Sequence, residues 1–121
     1  MVIKESLVGE YTSPYWGEPN SPIDWCEDNY DTSNYIAEIW NTFSNIGFIF
    51  GAYIMYREAK LHNLPNYYTI IALSLFLTGF TSALFHASLY WIFQKLDEIC
   101  ETFMVTYICA FCVYIYVHTY I

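Results

Sequence analysis

Apolar residues in this chain gather into three long blocks, and most of the polar residues lie ahead of them. The blocks cover 35–56, 67–93 and 99–121. Each is about as long as the roughly 20 residues with which a helix crosses ~30 Å of hydrocarbon. None shows the period-two alternation of a barrel strand, and each is about twice that strand's usual length of roughly 10 residues. A helix also satisfies its own backbone groups within a single span, as lipid requires. The pattern therefore predicts an all-α, polytopic helical membrane protein with three transmembrane helices in 35–121. Residues 1–34 form the second part, where Pro14, Gly17, Pro19 and Pro22 among Asp, Asn and Ser predict an irregular loop. The third block runs to Ile121 without a stop signal, and three helices do not readily enclose the polar groups described below. These 121 residues are therefore expected to be the front part of a longer chain.

Composition sharpens this picture. At 56% hydrophobic and only 13% charged, the chain is too apolar for an ordinary soluble domain. Seven of its twelve acids precede residue 32 beside one base, Lys4, so the net charge of −8 belongs mostly to the N-terminal loop. Such a loop repels nucleic acid and attracts cations. Residues 1–12 lack a basic start followed by an apolar run, so insertion is expected to rely on the internal spans. Arg57 and Lys60 fall in the first connection with Pro65. The positive-inside tendency puts that connection in the cytosol and the acidic loop in the lumen or outside. The four cysteines include Cys109 and Cys112 as a C-x-x-C, but in an apolar run without neighbouring histidines. Packing is expected of them rather than redox or zinc chemistry.

Three groups carry candidate chemistry. The stretch 24–31 holds four carboxylates and an amide, a density of oxygen that suits Ca²⁺, although the D-x-[DN]-x-[DN]-G spacing is absent. On local spacing alone a solvated loop whose Asp31 or Ser33 caps the first helix is the better account. Glu38 then falls a turn inside the first block, where an unpaired carboxylate costs up to about 2.5–3.5 kcal/mol. No Lys or Arg lies near it in sequence, so a divalent ion shared with Asp24, Glu27 and Asn29 would explain it. Asn41 and Asn45 are expected to bond neighbouring helices. In the second block Ser82 and His86 stand at i, i+4 on one helical face. An unbroken helix would put His86 and Asp97 about 16 Å apart. They can meet only if the chain turns around 90–95 and a third helix returns alongside. A histidine on zinc, a hydroxyl facing an oxyanion and a carboxylate managing water would then form a hydrolytic centre. A lone histidine that merely bonds another helix is the plainer alternative.

These residues resemble a known family, the alkaline ceramidases, multispanning amidases of the endoplasmic reticulum and Golgi. The likeness is carried by Tyr15-Trp16-Gly17, by Asp24-Trp25-Cys26-Glu27-Asp28-Asn29-Tyr30, and by Ala37-Glu38-Ile39-Trp40-Asn41-Thr42-Phe43-Ser44-Asn45. Ser82-Ala83-Leu84-Phe85-His86, with Asp97-Glu98 eleven residues on, continues it. The resemblance implies a seven-helix membrane fold, of which this chain covers about the first three helices. It implies calcium held by Asp24, the backbone carbonyl of Trp25, Glu27, Asn29 and Glu38, in a structural or regulatory role. It also implies a catalytic zinc held by His86 with two histidines of a last span, Ser82 stabilising the oxyanion and Asp97 assisting water. Cys26 matches a cysteine that some members pair with a later loop. The final-span His-x-x-x-His pair is missing from these 121 residues, so the piece alone is expected to be inactive.

The implied function is hydrolysis of the N-acyl bond of ceramide to sphingoid base and fatty acid. The partners are then the ceramide substrate and the bilayer, with no obligate protein partner and no nucleic acid. The expected location is the endoplasmic reticulum or Golgi membrane with a lumenal N-terminus. The alternatives are a catalytically incomplete or receptor-like member of the same seven-helix superfamily and a small helical membrane subunit.

Overall fold

The computed structural model describes residues 13–23 and 25–120. Among these the regular elements are four helices: α1 (Ile39–Ser44), α2 (Ile46–Leu61), α3 (Asn66–Ser88) and α4 (Trp91–Tyr120). α3 and α4 are long and apolar enough to cross a membrane. α3 packs against both α2 and α4 and also meets α1, so it is the central element.

The helix bounds differ from those expected, each for a local reason. The first block does not start a helix at Tyr35; residues 35–38 approach it outside any helix, and Glu38, expected a turn inside the span, is the extended N-cap residue of α1 (φ −119°, ψ 96°). A break at Asn45 separates α1 from α2. At its far end α2 continues to Leu61, so Arg57 and Lys60 belong to the helix rather than to the connection. Lys60 there lies 5.5 Å from the Tyr56 ring and complements the negative helix end. Asn63 then adopts a left-handed φ of 50°, and Leu64 N donates to Ala59 O at 2.8 Å. That closure stops the helix before Pro65, the N-cap residue of α3.

The second block ends at Ser88, not at residue 93, and the third helix begins at Trp91 rather than near 99. The turn is made by Leu89, left-handed at φ 52° yet only 1% exposed. A left-handed backbone costs a residue with a Cβ roughly 1–2 kcal/mol, whereas burying a leucine side chain returns about 1.5–3 kcal/mol. Leu89 achieves this among Ala37 and Phe85, with Tyr30 and Phe93 packed on the cluster. The core therefore holds the strained turn in place.

The buried face of α3 is unlike that of a soluble helix. Ile71, Ser74, Thr78, Thr81, Phe85 and Ser88 are buried and recur at alternating spacings of three and four, the period of one helical stripe. Four of the six carry hydroxyls, while large apolar residues such as Leu73, Phe76, Leu77 and Phe80 point outward. Ser74, Thr81 and Ser88 each bond a carbonyl of their own helix, at 2.8, 2.9 and 2.8 Å. Polar groups inside and hydrocarbon outside is the arrangement lipid favours. An apolar groove of about 670 Å³ runs between α2 and α3, lined by residues such as Ile49, Phe50, Tyr53 and Leu73. It carries no carboxylate or histidine and is separate from the polar cluster described next. Cys109 and Cys112 lie exposed on α4, so within this chain they do not have the packing role expected of them.

At the α2–α3 crossing a Cβ on Gly79 would stand 2.7 Å from Phe48 Cβ and 3.4 Å from Asn45 O. Phe48 Cβ cannot swing away without its backbone. Gly79→Ala should therefore separate the helices and destabilise the protein by about 1–3 kcal/mol, read as a lowered thermal midpoint in detergent, whereas Gly47→Ala, which meets nothing within 4 Å, should leave the midpoint nearly unchanged.

Candidate functional site

The last carbonyls of α3 organise the site, because a helix end leaves its final C=O groups without helical donors. Here the segment before α1 supplies them. Ala37 N donates to Ala87 O at 2.9 Å and Glu38 N to His86 O at 3.0 Å. The Tyr30 hydroxyl donates to Ser88 O at 3.4 Å. Burial, then the nearby Tyr90 and Glu18, hold that phenol above its usual range, which keeps it a donor. Asn20 N and Ser21 N close on Leu89 O at 3.2 and 3.0 Å, and Trp91 N at the start of α4 donates to Asn20 Oδ1 at 2.7 Å. The irregular segment is thus bonded across the α3–α4 turn.

This docking carries Glu38 to His86. Glu38 is fully buried, and its Oε2 lies 2.5 Å from His86 Nδ1. The sequence placed no base near Glu38, and the partner that the fold supplies is a histidine 48 residues away. Asn41 Nδ2 donates to the same oxygen at 3.2 Å, while Glu38 Oε1 is buried without a partner among the described residues. The His86 ring is flanked by Phe85 at 4.9 Å and Trp25 at 6.1 Å between centroids.

Glu27 caps the first helix, in place of Asp31 or Ser33. Its two oxygens accept from Trp40 N and Asn41 N at 2.8 and 2.9 Å, putting negative charge at a helix start where the dipole favours it. Asn41 consequently joins two carboxylates, Glu27 through its backbone and Glu38 through its side chain. Asn45 donates to Asn41 O at 2.9 Å within the same stretch, so among the described residues both amides bond locally.

On the other side of His86 stands Asp97, brought back by α4. Its carboxyl lies near Ser82 and His86, close enough for both to interact with it electrostatically. Thr81 Oγ1 is 3.5 Å from Asp97 Oδ1, but its one proton has a shorter path to Leu77 O at 2.9 Å. Sequence reasoning passed over Thr81 and also Gln94, which is 3% exposed. Gln94 accepts from Ser21 Oγ at 2.7 Å and donates to Glu98 at 2.7 Å, tying the loop to α4. An amide three residues ahead of Asp97 in an apolar helix was the available signal.

Among the expected calcium ligands, Asp24 lies outside the described residues. Glu38 Oε1, without a partner among the described residues, fits a cation, as does the approach of Glu27 and Glu38 to one asparagine. No group of three or more His, Cys, Asp or Glu able to hold a metal occurs among the described residues, so a calcium site here would need Asp24, the Trp25 carbonyl and Asn29 as well. His86 is a fitting zinc donor. His62 instead pairs with Glu58 at 3.4 Å and His118 stacks on Tyr114 at 4.4 Å, neither near it.

Two helices long and apolar enough to cross a membrane, joined at a turn with buried polar groups, are compatible with a helical membrane protein. The ceramidase family model matches residues 17–120, and the chain belongs to that family. It is 44% identical over 84 residues to alkaline ceramidase YPC1 of Saccharomyces cerevisiae, covering 69% of this chain and 27% of that protein. It is 39% identical over 89 residues to alkaline ceramidase 3 of Mus musculus, covering 70% and 32%. Against alkaline ceramidase 1 of Homo sapiens it is 40% identical over 82 residues, covering 66% and 31%. The chain thus spans about a third of the length of the relatives it matches.

Because Glu27 is the cap of α1, Glu27→Ala should cost about 1–2 kcal/mol of stability. Glu27→Gln keeps one oxygen acceptor and should cost less; chemical denaturation of the detergent-solubilised protein would rank the two.

Proposed function

We propose that this chain is the front part of a membrane amidase that cleaves the N-acyl bond of ceramide, releasing sphingoid base and fatty acid. The observation that carries the proposal is the approach of α4 to α3 near one end of apolar helices, where Asp97 Oδ1 stands 3.5 Å from Thr81 Oγ1, with Ser82 next in sequence and His86 about one turn further along α3. Membership of a family whose matched relatives are named alkaline ceramidases supplies the substrate class. On this view the four helices belong to a seven-helix bundle in the endoplasmic reticulum or Golgi membrane, with the acidic loop on the lumenal side.

His86 would be one zinc ligand, the others coming from histidines of a last span. Zinc, when bound there, supplies Lewis acidity and brings the pKa of water toward about 7. Asp97 orients the attacking water and takes its proton. The Ser82 hydroxyl, close to Asp97, donates a hydrogen bond to the oxyanion forming on the scissile carbonyl. Asp97 then returns its proton to the departing amine. Calcium held by Asp24, Trp25, Glu27, Asn29 and Glu38 would fix the loop against α1, a structural contribution. An apolar setting suits a lipid substrate, whose chains stay in hydrocarbon while the amide reaches the polar centre.

In the full-length protein, Ser82→Ala, His86→Ala and Asp97→Ala should each lower ceramide turnover by at least 10²-fold while membrane insertion, followed by protease protection, is unchanged. Sustained turnover in the His86 variant would exclude its role as a zinc ligand. A native full-length protein that binds ceramide without cleaving it would point to the receptor-like alternative.

A further inference from the structure

Tyr90 precedes α4, and a tyrosine is not one of the short polar residues that cap helix starts. The first donor of α4 is met from elsewhere: Trp91 N bonds Asn20 Oδ1 at 2.7 Å, 71 residues away in sequence. Next to Asn20, Ser21 reaches the same helix one turn further on, its Oγ donating to Gln94 Oε1 at 2.7 Å. That proton has a longer alternative at Ile23 O, 2.9 Å away. Gln94 can receive it because its amide is held the right way round: Nε2 donates to Glu98 Oε1 at 2.7 Å, and a carboxylate only accepts. Lys95 Nζ holds the second Glu98 oxygen at 2.6 Å. Gln94 is 3% exposed, so its side chain has no solvent to turn to.

Packing against α3 limits large rotations of α4. The two polar contacts, at residues 91 and 94 and so a turn apart, fix the small ones, because hydrogen bonds are short and directional. Asp97 lies three residues beyond Gln94, ~4.5 Å along the helix. Side chains stand roughly 5–6 Å from a helix axis, so turning α4 by about 10° would move the Asp97 carboxylate by about 1 Å. That carboxylate is 3.5 Å from Thr81 Oγ1 across the α3–α4 contact, and misplacement on the order of 1 Å can cost ~10²-fold in rate. We propose that Gln94 is a positioning residue for Asp97: bonded to Ser21, it sets the rotation of α4 and thereby where the carboxylate meets the substrate. This rests on the reading of Asp97 given above and adds to it a part in turnover for the loop at 20–21.

The test uses the full-length protein and ceramide in mixed micelles, with kcat and KM taken per folded molecule well below the thermal midpoint of each variant. Ser21→Thr and Ser21→Val have nearly the same shape, and only the first keeps the hydroxyl. Ser21→Thr should keep native kcat. Ser21→Val and Gln94→Leu should each lower kcat by about 10-fold, within the limit set by ~1 Å of misplacement, and change KM by less than about twofold. The double variant should lose no more than the worse single one, since both break one bond; losses that add would overturn the inference. A role confined to stability would lower the midpoints and leave kcat per folded molecule unchanged. Native kcat in Ser21→Val therefore overturns the positioning role, even where Gln94→Leu does not fold. Asp97→Asn, measured alongside, separates the two readings. Native turnover there overturns the role of Asp97 and this inference with it, whereas an inactive Asp97→Asn beside native kcat in Ser21→Val overturns the inference alone.

Discussion

The structure depends on how the exposed carbonyls at the end of α3 find donors. A helix that stops inside or beside hydrocarbon cannot leave them open, since each unsatisfied group costs on the order of several kcal/mol in lipid. Four carbonyls from His86 to Leu89 are met by N–H and O–H groups of 20–38. The polar loop is therefore part of the architecture. It places Glu38 beside His86 with no base nearby in sequence, and it allows α4 to start three residues after α3 ends.

The same constraint explains how a carboxylate comes to be fully buried. Glu38 sits at the extended entry to α1 rather than inside a span, so its backbone is already engaged by the end of α3 when its side chain reaches His86. One of its oxygens is shared by His86 and Asn41, and the other has no partner among the described residues. A buried acceptor left in that condition costs about 1–3 kcal/mol, more when charged. The bond on the first oxygen ties the entry of α1 to the end of α3.

Asp97 and Ser82 lie near the same His86 ring, and on the same helix as Asp97 the Gln94 side chain is bonded to Ser21 of the loop. Ser82 and Asp97 thus lie on α3 and α4, while the groups bonded to the histidine come from the segment leading into α1; the α3–α4 turn, kept left-handed at Leu89 by its own burial, is the joint between them.

Read by itself, the order of residues established that the chain is helical, apolar and led by an acidic irregular segment, because block length and composition act locally. It also singled out Ser82, His86, Asp97 and Glu38, since ionisable or hydroxyl groups stand out against so much hydrocarbon. Helix ends were misjudged wherever the decisive donor or acceptor came from far away. Glu27 caps α1 from thirteen residues upstream, and the Leu89 turn is paid for by a core drawn from four separate segments. Only the folded chain could decide that Glu38 belongs to His86, because two residues 48 positions apart become neighbours through loop docking, which no local pattern encodes.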